Sequence, residues 1–293
     1  MKVRVLIGGS PCVHWSIVRQ KKKQNGQRET TSSGIGYELF KNYLIAKDKF
    51  KPDFFIYENN KSISKEIKEC ISYDLGYTNV TIDSSLVSAQ KRLREYWTNF
   101  NITVPTDRNI MLSDVLESDV EPILVCMPKF KEPYCRTYYN KSPTITAAGG
   151  GGHIPRVLIK GNDIKAVTPD NFRELSRELL PIEVERLQTM PEGYTKAVKK
   201  THAFNGLGSG WTAEIIIQLI KYMNIPLDAE IEVLSMYDGI GTGRYCFDKL
   251  GYKNITYKAY EISNPSMTIA NSNYPDIQQM GDAFDLRKDD WKY

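Results

Sequence analysis

The chain has 293 residues, of which 41% are hydrophobic and 25% charged, and its formal net charge is +4. These values are typical of a soluble globular protein with one large and one small domain. The sequence contains no run of about 18 apolar residues, so we expect no membrane span. Five scattered cysteines without CxxC spacing and only three histidines argue against a disulfide framework and against a metal centre. The chain starts without a signal-peptide core, so we expect a reducing, cytoplasmic compartment.

Strands and helices alternate in the first hundred residues. The pattern predicts strands over Val3–Gly8, Phe54–Tyr57, Val80–Val87 and Arg92–Trp97, and helices over Gly36–Lys47 and Ser62–Tyr73. Alternation of this kind is typical of an α/β fold with a mostly parallel sheet.

The sequence pattern changes from about residue 109. The short apolar pieces there are separated by Pro, Gly and Asn, and they lie at Ile123–Cys126, Thr144–Ala148 and Arg156–Ile159. This spacing predicts a small, loop-rich β domain. Helices are predicted again over Pro181–Thr189 and Thr212–Met223.

The α/β pattern restarts near the end of the chain. A strand over Ile231–Met236, a helix over Arg244–Leu250 and a strand over Ile255–Tyr260 follow in that order. We therefore expect a catalytic domain in two parts, 1–111 and 193–293, and a small domain at 112–192.

Two glycine-rich turns follow apolar strands. The first, Gly8-Gly9-Ser10-Pro11-Cys12, ends in a cysteine at the carboxyl end of its strand, where open α/β sheets bind ligands. A free cysteine is most often a small buried residue, but this setting favours a nucleophile. The second turn, Asp238–Gly243, lets backbone approach a ligand closely, and it is neither GxGxxG nor a P-loop.

Two carboxylates near the second turn fit an adenosine. Glu261 ends the next strand and can accept hydrogen bonds from both ribose hydroxyls, while Asp282 can contact the adenine amino group. This combination predicts a nucleoside site, although a plain strand–helix turn is the simpler alternative for the glycines alone.

Glu58 and the pair Arg92 and Arg94 suit chemistry on cytosine. A thiolate that attacks C6 makes C5 nucleophilic and puts electron density on N3, where a carboxyl group can donate or share a proton. A cationic fork near O2 stabilises the same intermediate. An exposed charged strand face is the alternative interpretation of the two arginines.

A basic segment between residues 17 and 33 follows the cysteine turn. It is either a solvated loop or a lid that contacts phosphates. Its basic residues are Arg19, Lys21, Lys22, Lys23 and Arg28.

Together these segments resemble the C5-cytosine DNA methyltransferase family. Gly8–Cys12 is similar to its Pro-Cys motif, Glu58-Asn59 to its Glu-Asn motif, and Gln90, Arg92 and Arg94 to its QxRxR motif. RELLPIEVERLQTMP at 177–191 is similar to RxLTPxExxRLQGFP, and 205–216 resembles the closing motif in the LGxxW form of the animal de novo branch. The segment 235–240 is similar to that branch and to related phage enzymes. The motifs start at the cysteine and end at the cofactor turn, which predicts a circular permutation.

The resemblance implies a fold, a cofactor and roles for individual residues. It implies a Rossmann-like sheet that binds S-adenosylmethionine, with a small target-recognition domain. Catalytic roles fall on Cys12, Glu58, Arg92 and Arg94, with support from Pro11, Asn59 and Gln90. The implied cofactor residues are Tyr237, Asp238, Gly239, Ile240, Thr242, Glu261, Ile262, Asp282, Ala283, Ser209 and Trp211. Contacts to DNA fall on the five basic residues named above and on Ser16.

The implied reaction is methylation of a cytosine flipped out of double-stranded DNA, by a monomer without metal, in a bacterial or phage-infected cell. The same chemistry on a tRNA cytosine is the alternative. A catalytically silent DNA-binding protein would not need Cys12, Glu58 and Arg94 together. A thiol hydrolase would need a histidine base near Cys12, and His14 is too close in sequence.

Overall fold

The computed structural model describes residues 1–16, 28–127, 134–147 and 154–293. The chain forms two compact units. The first contains 1–82, 93–104 and 216–293, and the second contains 83–92 and 105–215. The expected small domain at 112–192 falls within the second unit, which also takes in 83–92, 105–111 and 193–215.

The elements are numbered in chain order. The strands are β1 (Lys2–Gly8), β2 (Phe54–Asn60), β3 (Val80–Asp83), β4 (Leu93–Thr98), β5 (Val120–Cys126), β6 (Arg136–Tyr138), β7 (Arg156–Ile159), β8 (Ser176–Glu178), β9 (Glu230–Met236), β10 (Ile255–Tyr260) and β11 (Gln278–Gly281). The helices are α1 (Ile35–Phe50), α2 (Lys65–Leu75), α3 (Phe172–Leu175), α4 (Pro181–Leu187), α5 (Lys200–Ser209), α6 (Ala213–Lys221), α7 (Thr242–Lys249) and α8 (Asn264–Asn273).

The first unit is built on a sheet with the strand order β11-β10-β9-β1-β2-β4-β3. The neighbours from β11 to β2 pair in parallel, and β4 pairs antiparallel with β2. From β1 the chain continues to β2 on one side of the β9–β1 pair, and from β9 it continues to β10 and β11 on the other side. An order that reverses in this way creates a crevice outside the carboxyl ends of the strands. The predicted α/β fold with a mostly parallel sheet is confirmed.

The register of the sheet brings its turns to one edge. Gly8 at the end of β1 lies opposite Met236 of β9 and Tyr57 of β2. Met236 in turn lies opposite Tyr260 of β10, and Tyr260 opposite Gly281 of β11. The residues that follow these five positions therefore form one row along the sheet edge.

Helix α2 shows how the sequence specifies the elements that cover the sheet. Ser64 caps its start by accepting a hydrogen bond from the Ile67 amide at 3.2 Å, and Gly76 ends it in the left-handed conformation. Ile67, Ile71 and Leu75 follow the four-residue spacing of one helix face and are buried. They join the core that α1, α2 and the sheet share.

The second unit has its own sheet and core. Its strands follow the order β6-β5-β7-β8 and pair antiparallel. Val125, Leu158 and Phe172 form a small buried cluster on this sheet.

One sequence prediction of a strand was wrong in extent. The predicted strand 80–87 ends at Asp83, because its carboxylate accepts hydrogen bonds from the amides of Ser85 at 3.0 Å and Arg92 at 2.9 Å and the chain turns. The described part of 144–148, residues 144–147, forms no strand and instead contacts residues 90–92. The sequence analysis did not predict strands β6, β8 and β11 or helices α3, α5 and α8.

We predict that Gly9→Ala destabilises the protein by about 1–3 kcal/mol, because the added Cβ would lie 2.4 Å from the Glu58 carbonyl oxygen. Gly76→Ala is the matched control, since its Cβ meets open space and costs about 1 kcal/mol of left-handed strain. Urea denaturation of both variants measures the difference. Equal costs would show that the neighbouring strand end does not require a glycine at position 9.

Candidate active site

The cysteine turn is held tightly against β2. Cys12 is half-buried and begins a single 3-10 turn, Cys12–His14, after Pro11. The buried Asn59 side chain donates to the Ser10 carbonyl at 3.1 Å, and the Ser10 hydroxyl lies 2.7 Å from the Tyr57 hydroxyl. The thiol therefore sits on a short loop whose backbone is fixed from the neighbouring strand.

Glu58 and Arg94 form an ion pair at the same edge. The Arg94 Nε lies 2.9 Å from the Glu58 Oε1, and both side chains are largely buried. The antiparallel register of β2 and β4 explains this pairing, because Arg94 lies opposite Asn60, two residues beyond Glu58. Gly9 packs on the Glu58 backbone, so the structure brings together the predicted nucleophile loop, carboxylate and arginine.

Gln90 and Arg92 belong to the second unit, and their side chains are used inside it. Arg92 is 2% exposed and donates from its two terminal nitrogens to the carbonyls of Ile145, Gly208 and Gly210. Gln90 is fully buried and accepts a hydrogen bond from the Ile145 amide at 2.8 Å.

The second glycine-rich turn connects β9 to α7. Gly239 and Gly241 take positive φ angles of 66° and 78°, which only glycine adopts without strain. A Cβ on Gly243 would lie 2.4 Å from the Ile7 side chain, so glycine also lets α7 pack closely on the sheet. The turn leaves open space around Gly239, where a ligand can approach the backbone.

Glu261 fixes the loops on both sides of this space. Its carboxylate accepts hydrogen bonds from the amides of Gly239 at 2.8 Å, Ile262 at 2.8 Å and Ser263 at 2.7 Å. Asp282, one strand further along, accepts from the Phe284 amide at 3.0 Å. Both carboxylates lie in the row of strand ends, which the sequence predicted for Glu261 and not for Asp282.

Two buried polar atoms at the turn have no hydrogen-bond partner within the part of the chain that the structure describes. They are Oδ2 of Asp238 and Oγ1 of Thr242. The Asp238 Oδ1 accepts from the hydroxyls of Ser235 and Tyr257, each at 2.6 Å, and burial raises the pKa of Asp238. Unpaired polar atoms are costly in a buried position, so these two are candidate ligand contacts.

Other predicted cofactor residues differ in exposure. Ile262 is 69% exposed, which leaves an apolar surface beside Glu261, whereas Ile240 and Ala283 are buried. Burial raises the pKa of Tyr237 to about 12, and its hydroxyl donates to the Leu39 carbonyl at 2.7 Å. Ser209 and Trp211 lie in the second unit and stay predictions.

The predicted DNA contacts are described only in part. Arg19, Lys21, Lys22 and Lys23 lie outside the described residues. Arg28 is half-buried and donates to the carbonyls of Trp15 and Ser62. Ser16 is half-buried beside the cysteine turn.

Sequence reasoning missed two features of this edge. Glu29 lies 3.3 Å from the His14 Nδ1 and accepts from the Gly36 amide, which ties the cysteine turn to the start of α1. Phe284 is partly exposed after the end of β11, and the Arg287 guanidinium lies over its ring. The sequence could have indicated Phe284, because it is an aromatic residue two positions after Asp282.

In the described part of the chain, no three His, Cys, Asp or Glu side chains are grouped as a metal site. None of the helices placed by the structure is long and apolar enough to cross a membrane.

A family model matches the part of the chain that contains the cysteine turn. Residues 1–72 match the family model described as C-5 cytosine-specific DNA methylase, and this segment contains both Cys12 and Glu58. The family resemblance inferred from the motifs is confirmed over these residues, and it supports cytosine-C5 methylation. No curated protein sequence matches the chain.

Two solved structures are similar to this chain. One is a mutant of DNMT2 from Spodoptera frugiperda, with 19% identity and a TM-score of 0.49 over 75% of this chain and 79% of that chain. The other is the Entamoeba histolytica methyltransferase EhMeth, with 18% identity and a TM-score of 0.48 over 75% and 76%. Both TM-scores lie below 0.5, so neither similarity bears on the substrate.

We predict that Asn59→Ala speeds alkylation of Cys12 severalfold, because the Ser10 carbonyl loses its donor and the cysteine turn loosens. Asn99→Ala is the matched control. Asn99 accepts from the Phe55 amide at the start of β2 and donates to the Asp53 carbonyl just before it. Both bonds lie at the end of β2 that is away from the cysteine turn. Iodoacetamide labelling with peptide mass spectrometry measures Cys12 against Cys135. Equal acceleration in both variants would indicate general loosening instead.

Proposed function

We propose that this protein is a DNA cytosine-5 methyltransferase. It would transfer a methyl group from S-adenosylmethionine to C5 of a flipped cytosine through a covalent bond between the Cys12 Sγ and C6. The observation that supports this most strongly is the shared sheet edge. Three features lie side by side on the neighbouring strands of one unit: the cysteine turn, the Glu58–Arg94 pair, and Glu261 with the second glycine-rich turn. We call this second turn, Asp238–Gly243, the nucleotide turn.

Each residue on this edge would carry out one step of the reaction. The Cys12 thiolate attacks C6, and the electron pair of the C5–C6 double bond becomes available at C5. Glu58 supplies or shares the proton at N3, and Arg94 stabilises negative charge at O2. After C5 has gained the methyl group, loss of the C5 proton expels the thiolate and restores the ring.

The nucleotide turn fits S-adenosylmethionine, which supplies an electrophilic methyl group on a sulfonium when it is bound. Glu261 would hold the ribose hydroxyls, and Asp282 the adenine amino group. The backbone at Gly239, which has open space beside it, and the Thr242 hydroxyl, which has no partner among the described residues, would contact the remaining polar atoms of the cofactor. The exposed Ile262 side chain gives the adenine ring an apolar surface.

Duplex DNA is the favoured substrate because the family model that matches residues 1–72 describes DNA methylases. A tRNA cytosine is the alternative, since the chemistry is the same. Transfer of labelled methyl groups to mixed duplex DNA and, in parallel, to total tRNA tests the choice. We expect label in DNA at a recurrent short sequence. Label only in tRNA would select the alternative, and label in neither would contradict the proposed activity.

The order of the motifs suggests a circular permutation of the usual chain. Residues at the two ends lie close together in the first unit: Arg4 donates to the Phe50 carbonyl at 3.3 Å, and the Tyr293 ring lies 4.5 Å from the Phe50 ring. A chain with the conventional motif order could join these positions by a short connection.

We predict that Cys12→Ser abolishes methyl transfer because a hydroxyl is a far weaker nucleophile than a thiolate. Affinity for S-adenosylmethionine should stay within about twofold, since Cys12 belongs to the cysteine turn and not to the nucleotide turn. Cys70→Ser in α2, another half-buried cysteine, is the matched control and should retain transfer. Retained transfer in Cys12→Ser would remove Cys12 from its proposed role.

We predict that Glu261→Ala weakens S-adenosylmethionine binding about 10- to 100-fold, because charged hydrogen bonds to the ribose are lost and three backbone amides lose their acceptor. Glu230→Ala, at the opposite end of β9, is the control. Isothermal titration calorimetry measures both affinities. Unchanged affinity in Glu261→Ala would exclude the ribose role.

A further inference from the structure

The segment 28–30 lies between the cysteine turn and the loop that follows β2, and it is bonded to both. On the side of the cysteine turn, the Glu29 amide donates to the His14 carbonyl at 3.0 Å. The Arg28 Nε donates to the Trp15 carbonyl at 2.9 Å. These two carbonyls lie two and three residues after the proposed nucleophile, so the segment is attached to the same short turn that holds the thiol.

The same segment is also bonded to the loop that follows β2, the strand that carries Glu58. The Arg28 Nη2 donates to the Ser62 carbonyl, and the Ser64 hydroxyl donates to the Thr30 carbonyl at 2.6 Å. Strand β2 ends two residues before Ser62. One guanidinium therefore connects the cysteine turn to the end of the strand that carries the carboxylate.

The Glu29 side chain adds a third attachment, to the start of α1. Its Oε2 accepts from the Gly36 amide at 2.9 Å, and its Oε1 lies 3.3 Å from the His14 Nδ1. A Cβ on Gly36 would lie 2.4 Å from the Nε1 of Trp15, which is fully buried. The carboxylate and the indole thus hold the cysteine turn against the first turn of α1.

We propose that Arg28 and Glu29 are positioning residues that hold the Cys12 thiol in place relative to Glu58. This inference rests on the proposed function, which needs the thiolate at C6 and the carboxyl group at N3 of one base. It gives Arg28 a task other than the phosphate contact expected from the sequence. Arg28 is half-buried, and two nitrogens of its guanidinium bond to backbone carbonyls, so its planar fork is used within the protein.

Alkylation of Cys12 tests the positioning without nucleic acid. Arg28→Met and Glu29→Ala should each speed iodoacetamide labelling of Cys12, relative to Cys135, about three- to tenfold, because the turn loses hydrogen bonds that hold it. Arg28→Lys should behave like Arg28→Met, since one ammonium does not replace a fork that bonds two carbonyls. Glu29→Gln keeps an acceptor for the α1 amide and should stay within about twofold of the wild type.

Arg4→Met is the matched control for the arginine variants. Arg4 also bonds a backbone carbonyl, that of Phe50 at 3.3 Å, but it lies near the opposite end of β1 from the cysteine turn. Its loss should leave the labelling rate of Cys12 within about twofold of the wild type. Wild-type labelling rates in both Arg28→Met and Glu29→Ala would overturn the inference.

Steady-state kinetics with a duplex oligonucleotide separate positioning from a phosphate contact. A displaced thiol slows the chemical step, so Arg28→Met and Arg28→Lys should both lower kcat at least about tenfold, with KM for the nucleic acid within about twofold. The salt dependence of binding, measured by fluorescence anisotropy, should keep its wild-type slope. A phosphate contact would instead give a raised KM in Arg28→Met, a salt slope reduced by about one, and recovery in Arg28→Lys, which keeps the charge. That pattern would overturn the inference.

The two proposals fail in distinguishable ways. Absence of methyl transfer by the wild-type protein would contradict the proposed function, and the alkylation rates would still decide whether Arg28 and Glu29 hold the cysteine turn. Faster alkylation with unchanged kcat in every variant would show that these attachments serve stability alone, and this result would overturn the inference.

Discussion

The parallel pairing of β1 between β9 and β2 is the constraint on which the candidate site depends. Because Gly8 is in register with both Met236 and Tyr57, the cysteine turn and the second glycine-rich turn leave the sheet at the level where Glu58 lies in β2. The approach is so close that a Cβ on Gly8 would lie 2.4 Å from the Met236 carbonyl oxygen. Gly8 and Gly9 of the cysteine turn are therefore required by the proximity of the neighbouring strands, whereas Gly239 and Gly241 are required by their positive φ angles.

The sheet order brings residues from opposite ends of the chain to one edge, where the proposed reaction needs them. The strands carrying Cys12 and Glu58 extend from β1 to one side, and those carrying Glu261 and Asp282 extend from β9 to the other. A crevice at this reversal can accept two ligands from its two sides, which the transfer of a methyl group requires. The proposed division of labour follows from this arrangement, with nucleophile and carboxylate on one half and cofactor contacts on the other.

Local patterns were sufficient to predict much of the first unit and less of the second. Val3–Gly8 and Ile255–Tyr260 are apolar runs ended by Gly or by a charged residue, and the structure has strands at both. The side-chain partners of Gln90 and Arg92 could not be predicted, because they lie 53 to 118 residues away in sequence and depend on tertiary packing. A different limit applies to the turn at Asp83, where a local side-chain hydrogen bond interrupts a strand that propensity alone would continue.

Covalent capture of the nucleophile tests the central claim most directly. A duplex containing 5-fluorocytosine blocks the final loss of a proton from C5, so the bond between the enzyme and C6 persists after methyl transfer. Incubation with S-adenosylmethionine, followed by digestion and peptide mass mapping, should locate the nucleotide on Cys12 and show the added methyl group. An adduct on another cysteine, or complete methylation of ordinary cytosine without any adduct to the fluorinated base, would contradict the account.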